Sequence, residues 1–272
     1  MNKTPPQRLL ADLLLLLACA SLAGCAGGPP RSSIGNGIAV AHGVENWPKG
    51  YAVRADITVD FGTKRMIDGT LTATLDGSRV RLALKDGTVA VWDGADCWVS
   101  PVDTPLQKPR FHVLTWSYFL LAPFKLNDAG TLLEPGRVRV IDGRPCSTAR
   151  LTFDPGTGDA PDDWYLVYMD SGTGRLKAMA YIVTYGRSKE EAEREPHAIV
   201  FDDYATARGV QFATRWTFYR WSEARGIEGE PEGRATISNV KFVNPETDVT
   251  MFARPGDSRL DVVPRVTATP GR

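Results

Sequence analysis

Residues 53–84, VRADITVDFGTKRMIDGTLTATLDGSRVRLAL, decide the fold. Val53, Ala55, Ile57 and Val59 alternate with Arg54, Asp56, Thr58 and Asp60, so one face of an extended chain is apolar and the other wet. Leu71, Ala73 and Leu75 repeat that period of two, and Val80, Leu82 and Leu84 repeat it again. Between and beyond these runs stand Asp68-Gly69, Asp76-Gly77, Asp86-Gly87 and Asp93-Gly94, with Asp142-Gly143 later. Asp-Gly supplies the positive φ of a type I′ turn, so the pattern predicts a ladder of hairpins.

Strands are also expected over 163–169, 175–185, 197–204, 209–220 and 234–243. In the 209–220 run Val210, Phe212, Trp216 and Phe218 share a face with Thr214, opposite Gln211, Arg215 and Tyr219. The predicted fold is therefore mainly β: a strongly curved antiparallel sheet, or incomplete barrel, of about ten strands. One stretch breaks the pattern, Phe111 to Phe124, FHVLTWSYFLLAPF. It is long enough for three helical turns over about 111–122, with Pro123 as the stop. Its apolar residues run all round the helix, which must then be enclosed on several sides. The concave face of the sheet is the place for it.

Composition sets the outer limits. The 272 residues are 43% hydrophobic and 24% charged, a globular balance. Lys plus Arg and Asp plus Glu both total 32, which argues against the clustered positive charge that grips nucleic acid. His42, His112 and His197 are far apart and none has a second His or Cys at ligand spacing, so no metal site is expected, and no cofactor. Gly-rich phosphate loops, Gly-x-Ser-x-Gly elbows and Cys-x-x-Cys pairs are missing from the sequence. Leu166 to Gly174, LVYMDSGTG, resembles the Asp-Ser/Thr-Gly element of aspartic proteases. That chemistry needs a second carboxylate sharing one proton with the first, and no second copy of the string occurs. Asp170-Ser171-Gly172 is read as a hairpin turn, and no enzyme is expected.

At the N-terminus Lys3 and Arg8 precede an apolar run through Leu17, too short for a span of about 20 residues. The run closes on Leu22-Ala23-Gly24-Cys25, which resembles the lipobox of bacterial lipoproteins. That resemblance implies a signal peptide over 1–24, acylation of Cys25, and a cell-envelope protein held to a membrane by its acyl chains. Ala26, where a retention-type Asp would stand, implies the outer membrane, facing the periplasm. Residues 25–44 are expected to be the lipidated Cys and a flexible tether, 45–256 the β domain, and 257–272 a loose tail. Cys97 and Cys146 are an even pair in an oxidising compartment. They form either a disulfide, contributing about 3–4 kcal/mol, or two separate buried thiols.

The order of elements resembles the periplasmic lipoprotein-sorting superfamily, with its LolA/LolB-like fold. The resemblance rests on the short early hairpins, the string Tyr118 to Phe124 before Leu126 to Gly130, the strands around Trp164 to Asp170 and Leu176 to Tyr181, and the close Ile237 to Asn244 followed by Met251 to Pro255. It implies a half-barrel around a helical lid, with an apolar cavity for a lipid or acyl chain. The candidate lining is Trp116, Phe119 and Leu120 on the helix, facing Phe212, Trp216 and Phe218 on the strand. The alternative is a non-catalytic structural or interaction lipoprotein whose core is filled and whose partner is a protein.

Overall fold

Alternating strands joined by tight turns must curl around something once one face is apolar. The computed structural model, which describes residues 32–262, shows what they enclose. The strands are β1 (Ala52–Phe61), β2 (Lys64–Thr74), β3 (Val80–Leu84), β4 (Val89–Trp92), β5 (Cys97–Ser100), β6 (Thr131–Pro135), β7 (Arg139–Ile141), β8 (Arg144–Phe153), β9 (Tyr165–Asp170), β10 (Leu176–Tyr181), β11 (His197–Ala207), β12 (Val210–Ser222), β13 (Gly226–Val243) and β14 (Arg259–Asp261). They form one open antiparallel sheet in the order β14-β5-β4-β3-β2-β1-β13-β12-β11-β10-β9-β8-β6, with β7 also on β8. The helices are α1 (Ser33–Ala41), α2 (Pro109–Lys125) and α3 (Lys189–Ala192).

The strand count is fourteen rather than about ten, because several strands are only three to five residues long. Asp76-Gly77, Asp86-Gly87, Asp93-Gly94 and Asp142-Gly143 fall between strands as expected. Asp68-Gly69 does not: both residues lie inside β2, and the turn from β1 falls on Gly62. Gly69 is there for closeness, since a Cβ would stand 2.2 Å from the Ala83 carbonyl oxygen.

The main hydrophobic core joins α2 to the inner faces of strands from β1 to β13, including Ile57, Leu71, Leu82, Met179, Phe212 and Trp216. A second cluster, with Trp164, Leu166, Tyr168, Ala180, Ile182, Val200 and Trp221, contains Ala192 of α3. Strands β9 to β11 are thus buried on both faces, and their alternation is blurred. Residues 186–196, a charged and mostly exposed run, add Ala192 to that cover, with Ser188 and Glu191 forming a reciprocal capping box at the start of α3.

Three expected boundaries need correction. Residues 33–41, expected in the tether, form α1: Ile38 is fully buried, and Gly35 passes so close to Asn127 that a Cβ would meet its side chain at 2.7 Å. Residues 259–261, expected in the loose tail, pair with β5 as an edge strand, and an Asp261 oxygen accepts the Arg110 backbone N–H at 2.8 Å. Pro123 does not stop α2, which continues to Lys125. The missing donor falls in the last turn, where little of the hydrogen-bond ladder remains to be broken.

Candidate functional site

Helix α2 opens with Pro109, whose fixed φ suits the first helical position. Its two sides then meet very different surroundings. Val113, Trp116 and Leu120 sink into the main core. There the Trp116 ring lies 6.1 Å from Phe218, and Phe119 lies 6.3 Å from both Trp216 and Phe218. Phe201 closes on Trp216 at 6.0 Å. Both indoles are satisfied within the protein: Trp116 Nε1 donates to His112 Nδ1 at 3.2 Å, and Trp216 Nε1 to the Ala213 carbonyl at 3.1 Å.

The six side chains picked from the sequence are therefore brought together, but as packed core. Trp116, Leu120, Phe212, Trp216 and Phe218 are all buried, and of the six Phe119 alone also borders the large groove described next. The space left between Phe119, Leu120, Trp216 and His42 is about 10 Å³, room for a single water at most.

On the other side of α2 runs a groove of about 410 Å³. Leu114, Thr115, Tyr118 and Leu121 line it from the helix, facing Phe153 on β8, Tyr165 on β9 and Tyr181 on β10. The rings form a continuous apolar wall: Tyr118 to Tyr165 is 5.1 Å, Phe153 to Tyr165 6.0 Å, Tyr165 to Tyr181 6.1 Å and Phe119 to Tyr181 5.2 Å. Burial pushes the phenols of Tyr118, Tyr165 and Tyr181 well up, so all three stay neutral. The Tyr118 hydroxyl is shut off from solvent with no hydrogen-bond partner among the described residues.

Polar groups sit at the margins. Asp163 Oδ1 accepts the Thr184 backbone N–H at 2.7 Å and its hydroxyl at 2.8 Å. Burial nevertheless pushes the Asp163 carboxyl up to about 6. Asp159 is held by Arg110, whose Nη2 donates at 2.7 Å and whose guanidinium lies 4.5 Å from the centre of the Trp92 ring. Lys125 Nζ donates to the Asp76 carbonyl at 2.6 Å and pairs with Asp128. The groove is thus apolar along its length with fixed charges at its rim.

The other expected sites resolve as follows. Cys97 and Cys146 are free, buried thiols in different hydrophobic clusters near opposite ends of the strand order, so the disulfide is not formed. Burial pushes the Cys97 thiol up to about 12. Asp170 Oδ1 accepts from the backbone N–H of Gly172 and Thr173 at 2.9 and 2.8 Å, and from the Thr173 hydroxyl at 3.1 Å. It thereby shapes the turn between β9 and β10. His42 is locked as a neutral ring, with Nδ1 donating to the Gln211 carbonyl at 2.9 Å and Nε2 accepting the Leu176 N–H at 3.1 Å. Among the described residues no group of three His, Cys, Asp or Glu is placed to hold a metal, and no helix is long and apolar enough to cross a membrane. The lipobox and Cys25 lie outside the described residues.

No protein-family model matches the chain, and no curated protein matches it in sequence. Among solved structures, a LolA superfamily protein from Nitrosomonas europaea is similar at 11% identity and a TM-score of 0.48, over 78% of this chain and 94% of that one. A DUF1329 family protein from Desulfovibrio piger is similar at 13% identity and a TM-score of 0.49, over 80% of this chain and 96% of that one. The likeness is one of fold.

Proposed function

We propose that this chain binds a hydrophobic ligand, a lipid or acyl chain, in the groove beside α2, as a cell-envelope protein held to a membrane through acylated Cys25. The observation that carries the ligand reading is the groove itself. Its volume of about 410 Å³ falls in the range of roughly 300–1,000 Å³ common for small-molecule sites. Its wall is aromatic and aliphatic, so a tail gains about 25 cal/mol per Å² of apolar surface buried without any exacting polar geometry. No bond need be made or broken for such a role, and the reading assigns none. The anchor rests on Leu22-Ala23-Gly24-Cys25, and the outer membrane on Ala26.

Native mass spectrometry of the full chain, extracted from bacterial envelopes in nonionic detergent, tests both parts. The expected spectrum carries acyl mass on Cys25, lost in Cys25→Ser, and an extractable lipid in stoichiometric amount. Leu114→Arg, which places a charge in the groove, should lose that lipid while the protein still folds. A wild-type protein that neither retains lipid nor takes up an offered acyl probe would overturn the ligand reading, and the filled-core alternative with a protein partner would replace it. Absence of acyl mass would overturn the anchor alone.

A further inference from the structure

The face of the sheet opposite α2 carries a second feature, independent of the groove. Arg54 on β1 stands directly opposite Lys241 on β13, opposite Thr72 on β2 from its other side, and Thr72 in turn opposite Arg81 on β3. One cross-strand row over four adjacent strands thus reads Lys241, Arg54, Thr72, Arg81. The row lines a surface hollow of about 580 Å³.

Like charges set directly opposite each other on a sheet cost stability, and a carboxylate usually lies between them. Here the carboxylates stand off: Asp56 lines the same hollow and Asp248 acts on Arg54 and Arg81, but among the described residues neither forms an ion pair with Arg54, Arg81 or Lys241. Both acids keep their charge and offset the row in part, while their oxygens are held by neutral donors. Asp56 accepts from the Thr70 hydroxyl at 2.9 Å and from Asn239 Nδ2 at 2.7 Å. Asp248 accepts from the Thr250 N–H at 3.0 Å and its hydroxyl at 2.7 Å.

Arg54 is held in place, its Nε donating to the buried Thr72 hydroxyl oxygen at 3.1 Å. The remaining nitrogens of its fork stay free for another acceptor. Burial is what chiefly lowers the Arg81 pKa; the Asp248 charge works against it, and the neighbouring Arg54 charge lowers it by less. Met251 and Phe252 pack on Ala52, two residues before Arg54 on the same face, and wall that end of the row.

We propose that the row Lys241, Arg54, Thr72 and Arg81 is a binding site for a phosphate group. A tetrahedral dianion or a phosphodiester offers the oxygens that two guanidinium forks and an ammonium need, and it offsets the like-charge repulsion along the row further than Asp56 and Asp248 do. The group comes from an anionic phospholipid headgroup or from a soluble phosphate, and the two sources are separable.

The full chain in neutral nonionic micelles would be titrated calorimetrically with inorganic phosphate, and separately with phosphatidylglycerol doped into the micelles, with phosphatidylcholine as the comparison. Arg54→Gln and Arg81→Gln should weaken binding roughly five-fold for each charge removed, and Arg54→Lys and Arg81→Lys, which keep the charge but lose the fork, should weaken it by less. Higher salt should weaken the wild type and leave the double Gln variant almost unmoved. Saturable binding of inorganic phosphate assigns the site to a soluble phosphate. Saturation by phosphatidylglycerol alone, above phosphatidylcholine, assigns it to a headgroup. Urea midpoints serve as the control: relief of like-charge repulsion should leave the Gln variants at least as stable as wild type. Absence of saturable wild-type binding to either ligand, or equal binding by wild type and the double Gln variant, would overturn the proposal.

Discussion

The two sides of α2 are built from similar residues and behave in opposite ways. One side sets Val113, Trp116 and Leu120 against Phe212, Trp216 and Phe218, and large rings from both partners meet until only about 10 Å³ is left. The other sets Leu114, Thr115 and Tyr118 against Tyr165 and Tyr181 and leaves about 410 Å³. Hydrophobicity does not distinguish them, since both are apolar. Ring volume per unit of gap does: the closed side uses tryptophan on both partners, whereas the open side faces the sheet with Leu114 and Thr115. A helix apolar all round can thus serve as core on one side and as the wall of a binding groove on the other.

The comparison breaks most visibly at Trp216. Trp216→Ala on the closed side should cost about 3–5 kcal/mol, seen as a lower urea midpoint, because packed rings cannot collapse into the space left. A loss below about 1 kcal/mol would mean that the closed side is not closed.

Acid should act on the same side. Burial holds His42 and His112 down at about 4, from the usual 6.5. Both are neutral in either state above pH 6.5, so their contribution is complete there. It is lost as pH falls from 6.5 toward 4, where the unfolded chain takes up protons that the folded one refuses, on the order of 3 kcal/mol for each ring. Asp163, raised to about 6 on the open side, works in the opposite sense by about 3 kcal/mol as its carboxyl is protonated. The net expectation is a loss of roughly 3 kcal/mol between pH 7 and 4.5, read from urea midpoints; a midpoint that rises would contradict the His assignments.

On the open side the effects divide differently. Leu114→Arg should cost only about 1 kcal/mol of stability, because the long side chain can reach water at the groove mouth. It should weaken binding of an acyl ligand roughly ten-fold or more, because a charge would lie against the tail. Equal losses of stability and binding would erase the distinction between the two sides. Smallest of all, Tyr118→Phe removes a buried hydroxyl that has no partner among the described residues and should be neutral or stabilising by up to about 1 kcal/mol in thermal melts.

Much of this architecture was legible in the sequence. The alternation of Val53, Ala55, Ile57 and Val59 placed the first strand, Asp76-Gly77, Asp86-Gly87 and Asp93-Gly94 placed the hairpins after β2, and the apolar run from Phe111 placed the helix inside the curve. What escaped depends on long-range partners. Gly69 looks like a turn residue until Ala83 is brought against it, and α1 looks like a linker until Asn127 and the core receive Gly35 and Ile38. The site was half legible for the same reason. Periodicity shows which residues point inward, but whether the inside is filled depends on which ring faces which across the sheet. Trp116 and Trp216 drew attention by size, and size is what fills a gap. Phe153, Tyr165 and Tyr181 line the open region instead.

The most direct test maps the ligand onto the chain. The full-length protein would be loaded with a diazirine-bearing fatty acid, irradiated and digested, and its adducts located by mass spectrometry. The account predicts saturable labelling of peptides containing Leu114, Tyr118, Phe153, Tyr165 or Tyr181, with Phe212 to Phe218 unlabelled. Labelling centred on Phe212 to Phe218, or no saturable labelling at all, would contradict it.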